Sequence, residues 1–327
     1  ETHTQTTSTI IYFTTDSMLT AHQHGKGQVR VMKVFRNGWR HEVRQFLVET
    51  HLIGPVDNAF LESDNSMIVA TDTQKNTIFI LAKQLTEKTK SAEAFAKLIA
   101  THFINTYPNA VHECKVNVEE ETWGRVFIDG KPHNHSFQKV GPNIGTAHCH
   151  AKRSLSGGRG AVVVARLIGG VKNLTILKTT KSSFENFIRD RYTALPETNE
   201  RLLGTSVDST WEYLPGAVHN CDDFEAVASR VRGEMLRAFA GPVKTGVPSA
   251  SLQETAFQMG KAVVNNVNEI MSITLRLPNI HNIPVDMKPF RLENKDHTGN
   301  PDVFWVTKEP FGIIQATVSR KGGQSRL

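Results

Sequence analysis

Residues 28–52 read QVRVMKVFR-NG-WRHEVRQFLVETHL, and this stretch decides the fold class. From Gln28 to Arg36 the side chains alternate, Val29 and Val31 against Arg30 and Met32, as in a strand with one buried face. Asn37-Gly38 is the strongest hairpin signal in the chain, and His41 to Leu52 reads as the return strand.

The same reasoning extends outward. Ser91 opens an amphipathic helix reaching about Tyr107, with Phe95, Leu98, Ile99 and Phe103 on one face and Glu93 in the first turn, where the helix dipole favours an acid. Val111–Glu119 reads as a strand through Cys114, Val116 and Val118, and Trp123–Ile128 is expected to pair with it. Gly141–Gly160, rich in Gly, Ser, His and basic residues, marks the half-way boundary. Beyond it come strands at Ala161–Ile168, Leu174–Thr179 and Thr205–Tyr213. Helices follow at Asp222–Ala240 and from Ser251 to about Asn268, then strands at Met271–Leu277 and Ile313–Ser319. The order of strands, helices and strands occurs twice. Hairpins outnumber βαβ units, so the class is α+β with antiparallel sheets. One segment, Asn76–Ala82, fits a buried strand and also a helix starting near Asp72; periodicity leaves both open.

The 327 residues give room for two domains; hydrophobic residues at 39% and charged residues at 21% exclude a mostly disordered or coiled-coil chain. The strongest apolar stretch, Ala161–Ala165, is cut by Arg166, far short of the ~20 residues of a membrane span. A net charge of +6 attracts anions, but no block of five like charges marks a nucleic-acid surface. Cys114, Cys149 and Cys221 are odd in number and widely spaced, which fits a reducing compartment better than a disulfide framework. Residues 1–23 read as a loose tail without a secretory signal. The closing Ser325-Arg326-Leu327 is a conservative variant of a peroxisomal address.

Phosphate-loop, dinucleotide, zinc-protease and nucleophile-elbow motifs are missing. His133-x-His135 and His148-Cys149-His150 are the best metal-like groups, weighed against a polar turn. The informative segment is Leu174–Arg201, LTILKTTKSSFENFIRDRYTALPETNER. Its Leu174, Leu177-Lys178-Thr179-Thr180, Ser182, Phe184, Phe187, Tyr192, Leu195 and Arg201 resemble the signature of the urate oxidase (uricase) family at every fixed position. Val69–Thr77, Asp129–Phe137, Ser251-Leu252-Gln253 and Leu277–His281 resemble further segments of that family. The resemblance runs from about His24 to the last tripeptide; one departure is His24, where the family often has Tyr before Gly-Lys.

The resemblance implies two tandem T-fold domains, at 24–155 and 156–320 between tails at 1–23 and 321–327, with helices outside a tunnel-shaped barrel. It implies oxidation of urate by O₂ and water to 5-hydroxyisourate and H₂O₂ with no cofactor and no metal, so the histidine groups are not catalytic metal sites. A non-catalytic purine-binding relative is the alternative. Phe184 would stack on the purine, Arg201 would fork onto its oxygen and nitrogen edge, and Gln253 would pair with the opposite edge beside the Leu252 backbone N–H. Thr71 and Asp72 would bind through backbone N–H groups at a helix start, which favours the helix over the strand at Asn76–Ala82. Lys26, Thr71 and His281 would form the proton relay, and Asn279, with Thr71, would hold O₂ or water. The family resemblance also implies a homotetramer with active sites between subunits. It implies no nucleic-acid or membrane partner. A peroxisomal import receptor would read Ser325-Arg326-Leu327, with a cytoplasmic location in a host lacking peroxisomes.

Overall fold

The computed structural model describes residues 17–154 and 160–321. The opening hairpin is β1 (His24–Asn37) and β2 (Arg40–Ile53), with Val29 opposite Val48 and Val31 opposite Phe46. Asn37 pairs with Arg40, so the turn residues are Gly38-Trp39, one later than the sequence suggests; Gly38 takes φ +54°, the positive value that a tight hairpin demands at its first central position. Phe46, Val48, Thr50 and Leu52 alternate into the core.

After the short α1 (Asp57–Leu61), the ambiguous segment folds as α2 (Thr71–Gln84), burying Ile78, Leu81 and Ala82. Its cap is Ala70, so Asp72 is the second helical residue and not the cap. Helix α3 (Ala92–Thr106) is capped by Ser91, whose side chain accepts the Ala94 N–H at 3.1 Å. Its Phe95, Ile99 and Phe103 are fully buried, Phe95 lying 5.1 Å from the Phe46 ring. Each such side chain contributes about 1.5–3 kcal/mol. Two sequence readings are corrected next. Trp123–Ile128 continues β3 (Glu113–Ile128) rather than pairing with it, and β4 (Lys131–Arg153) is one long strand that enters the Gly-rich region and runs in it as far as Arg153. The Asp129-Gly130 turn, both residues at positive φ, is what sends the chain back.

The next two predicted strands are also one, β5 (Val162–Lys178), with a bulge between Val171 and Leu174 where Asn173 has φ +60°. Then follow β6 (Leu203–Tyr213), the short α4 (Pro215–Asn220), α5 (Phe224–Ala240) and α6 (Leu252–Asn266). The chain ends in β7 (Ile270–Pro284), β8 (Phe304–Thr307) and β9 (Ile313–Ser319). Asp223 and Ser251 cap α5 and α6 through their side chains.

All strands join one antiparallel sheet in the order β1 to β8, with β9 beside β7. The β4–β5 ladder, His148 opposite Ile168, carries the sheet from the first set of elements into the second. Hairpin, helices and further strands therefore recur, the tandem T-fold arrangement. No helix among the described residues is long and apolar enough to cross a membrane.

Candidate active site

The predicted residues fall into two groups. Lys26 stands on β1 immediately before a bulge at which Gln28 has φ +58°. Its backbone N–H donates to Thr50 Oγ1 at 3.3 Å; the Thr50 hydroxyl donates to Gln74 Oε1 at 2.8 Å; the Gln74 amide donates to the Val69 carbonyl at 3.0 Å. Thr50 and Gln74 are fully buried, so this chain of bonds pins the start of β1 to the first turn of α2. Gly25 allows the approach, because a Cβ there would meet the Thr50 carbonyl oxygen at 1.9 Å. Thr71 and Asp72, the first two residues of α2, are exposed, and their backbone N–H groups have no intrahelical acceptor. A hydrogen bond from Lys75 holds the Asp72 carboxyl below its usual range, with smaller pulls from Asn76 and Lys26.

The second group gathers beyond β5. The Arg201 guanidinium carbon lies 5.2 Å from the Phe184 ring centroid, and Phe187 stacks on the same ring at 4.9 Å. The Arg201 backbone N–H donates to the Ser182 carbonyl at 2.9 Å. Desolvation lowers the Arg201 pKa, the mark of a cation drawn partly out of water. Ser182 pairs with Ser249, and Lys178 Nζ donates to the Val247 carbonyl at 2.9 Å and to Ser249 Oγ at 3.0 Å. Those ties hold the loop that leads into α6, where Leu252 is buried and Gln253 is exposed in the first turn. Thr205 lies opposite Asn279, whose N–H donates to the Gly312 carbonyl at 3.0 Å; His281 follows two residues on, opposite Thr307. Residues two apart on a strand share a face, so Asn279 and His281 point the same way.

The structure does not bring the two groups together within one chain. Lys26 is on β1, an outer strand of the sheet, and Asn279 and His281 are on β7. Six strand spacings separate them, roughly 29 Å along the sheet.

Residues 22–149 and 167–315 match the family model Uricase. This chain belongs to the uricase family. A uricase-2 isozyme of Canavalia lineata is 40% identical over 307 residues, covering 91% of this chain and 94% of its own. The uricase of Oryctolagus cuniculus is 36% identical over 299 residues, covering 91% and 93%. Among solved structures, the uricase of Arthrobacter globiformis superposes with a TM-score of 0.81 at 33% identity, covering 96% and 98%. The uricase match takes in every residue of both groups.

The histidine groups that suggested metal binding have other partners. His133 Nδ1 accepts the N–H groups of His135 and Ser136, His148 Nδ1 lies 2.7 Å from Asn117 Oδ1, and His150 Nε2 lies 2.8 Å from Glu113. Among the described residues, no group of three His, Cys, Asp or Glu is placed to hold a metal ion. Sequence reading missed Thr50 and Ser249, and gave Lys178 as a signature residue without its role, the tie to Val247 and Ser249. Thr50 carries a signal, a polar residue in the buried register of Phe46, Val48 and Leu52. A cavity of about 590 Å³ lies elsewhere, lined by Arg44, Glu93, Glu120 and Arg232, and contains none of the predicted site residues.

Proposed function

We propose that this chain catalyses urate + O₂ + H₂O → 5-hydroxyisourate + H₂O₂ in purine degradation, with no metal and no cofactor. Membership of the uricase family carries the activity and sets aside the non-catalytic alternative. The observation that carries the site is the joining of Phe184, Arg201 and the start of α6 through Ser182 and Ser249. A planar purine anion needs a flat apolar wall, a cation and amide edges, and this cluster offers all three. Urate stacks on Phe184, and Arg201 turns from the ring to the purine's oxygen and nitrogen edge as a bidentate donor. Gln253 and the Leu252 N–H meet the opposite edge. The Thr71 and Asp72 N–H groups, at the positive end of α2, meet the imidazole side.

Lys26, Thr71 and His281 move the proton. Deprotonated urate passes an electron to O₂ held above the ring by Asn279 and Thr71, and recombination gives a hydroperoxide. Loss of peroxide and addition of water complete the balance, two electrons leaving urate and reaching O₂. The protein contributes position, proton transfer and exclusion of bulk water.

The working form is a homotetramer in which Lys26, Thr71 and Asp72 of one subunit face Phe184, Arg201, Gln253, Asn279 and His281 of the next. The separation of the groups supports this, as do the outer strand β1 and the exposed Trp39, Ile188 and Tyr192, at 82%, 95% and 77%. The two T-fold domains are placed at 24–155 and 156–320, with tails at 1–23 and 321–327. The location is the peroxisome, through an import receptor reading Ser325-Arg326-Leu327, which lies outside the described residues, as does most of the tail 1–23. The test is urate in air with a chelator present: urate absorbance falls, O₂ is consumed and peroxide appears. Folded, assembled protein that leaves urate untouched overturns the proposal.

A further inference from the structure

His24 stands two residues before Lys26 on β1, so both side chains leave the same face of the strand. Both ring nitrogens of His24 are buried, and neither has a hydrogen-bond partner among the described residues. The Val69 carbonyl faces the ring without closing a bond; it is already the acceptor for Gln74, the end of the chain that runs through Thr50 to Lys26. A buried donor or acceptor left unpaired costs about 1–3 kcal/mol, which a phenyl ring would avoid in the same place. The two ring nitrogens are thus left for a donor and an acceptor that the described residues do not supply.

We propose that His24 is a positioning residue for the Lys26 relay, orienting through its ring nitrogens the water that carries the proton between Lys26 and solvent. This rests on the assignment of Lys26 as the relay base. Burial keeps the His24 pKa below the usual imidazole value, opposed by the Val69 carbonyl and reinforced by His22. The neutral ring therefore has one donor and one acceptor through the neutral range. The other titratable groups on the elements around it are Asp57 on α1, paired with His22 at 3.2 Å, His51 on β2, and Asp72 and Lys75 on α2.

The test compares kcat and KM for urate against pH in the assembled wild type, His24→Phe, His24→Gln and Lys26→Met. His24→Phe should lose about tenfold in kcat with KM within twofold. His24→Gln, which donates and accepts but does not titrate, should recover most of kcat and lose the acid-side limb that His24 protonation contributes. Wild-type kcat and pH profile in both His24 variants, with Lys26→Met slow, overturn the proposal. If Lys26→Met itself turns over normally, the Lys26 assignment fails and this inference with it. Should His24→Phe not assemble, the profile of His24→Gln decides alone: an unchanged acid limb rejects the role.

Discussion

Arg201 lies over the Phe184 ring, its guanidinium carbon 5.2 Å from the centroid, while Phe187 stacks on that ring at 12°. The cation and the flat wall are thus held side by side, and the step proposed for urate binding is a turn of the guanidinium off the ring. Arg201→Ala should weaken urate binding by about 2–5 kcal/mol, the range for removing one partner of a buried charge pair. Arg201→Lys should recover only part of it, because an ammonium lacks the planar fork. Equilibrium binding of a non-reacting purine anion to both variants checks this; equal affinity for Arg201→Lys and wild type would show that charge alone matters.

The proposed relay puts Lys26 on the other side of the reaction. Lys26→Met should slow turnover by about 10²–10⁴ with urate still bound, since it removes a proton acceptor and leaves the purine contacts in place. Single-turnover rates at saturating urate, read beside the dissociation constant, separate the two effects. A large loss of binding in this variant would move Lys26 from the relay to the substrate-holding set.

The bonds under Lys26 give a third expectation. Gln74→Leu removes the middle of the Lys26–Thr50–Gln74–Val69 chain: the buried Thr50 hydroxyl loses its 2.8 Å acceptor and keeps only its contacts with the Lys26 backbone, and the Val69 carbonyl loses its Gln74 donor. Stability should fall by about 1–3 kcal/mol. Turnover should fall with it, because the Lys26 backbone loses its anchor to α2. Denaturant unfolding and kcat measured on the same preparation test the link; lost stability with full kcat would make the chain structural only.

Local patterns declared much of this fold. Alternation gave the β1–β2 hairpin, and Ser91 and Ser251 were legible as helix starts because a cap is a local hydrogen bond; Asp223, not the expected Asp222, caps α5. The β3–β4 ribbon was not legible. Trp123–Ile128 extends its strand well past the core, so its side chains carry no clean buried face to mark the pairing. Helix α2 was undecidable by period, since Ile78, Leu81 and Ala82 are neighbours in either structure. The site residues were found through the family resemblance. The bonds that hold them, Thr50 to Gln74 and Lys178 to Ser249, join residues far apart in sequence, so no local pattern pairs them.

Glu93 shows the same limit and gives a pH prediction. In the sequence it is a first-turn acid on α3; in the fold it is 4% exposed and accepts the Tyr213 hydroxyl at 3.1 Å. Burial raises its pKa from 4.5 to about 7. The folded state therefore penalises the charged form. Below about pH 4.5 the carboxyl is neutral folded or unfolded and has no effect; as pH rises toward 7 the unfolded chain ionises first and stability falls, then levels off. The loss is on the order of 3 kcal/mol. Glu93→Gln keeps the acceptor for Tyr213 and removes the charge, so it should gain stability at pH 8 and flatten the slope between pH 5 and 7, about the range where the wild type declines. Thermal unfolding across pH measures this, and parallel curves for the two proteins would reject the buried-acid account.

The strongest test of the shared site uses two inactive chains. Lys26→Met lacks one half of the site and Arg201→Ala lacks the other, and each homotetramer should be nearly inactive. If the halves meet within one chain, every chain in a mixture still carries one defect, and mixing restores nothing. If they meet between chains, a site built from Lys26 of an Arg201→Ala chain and Arg201 of a Lys26→Met chain is intact. Random co-assembly at equal amounts should then restore about a quarter of wild-type sites, each at full rate. Activity should rise only after the chains exchange, as followed by unfolding and refolding them together. Separately refolded tetramers, mixed afterwards, should stay inactive. A refolded mixture no more active than its parents would place the whole site within a single chain and remove the reason for requiring the assembly.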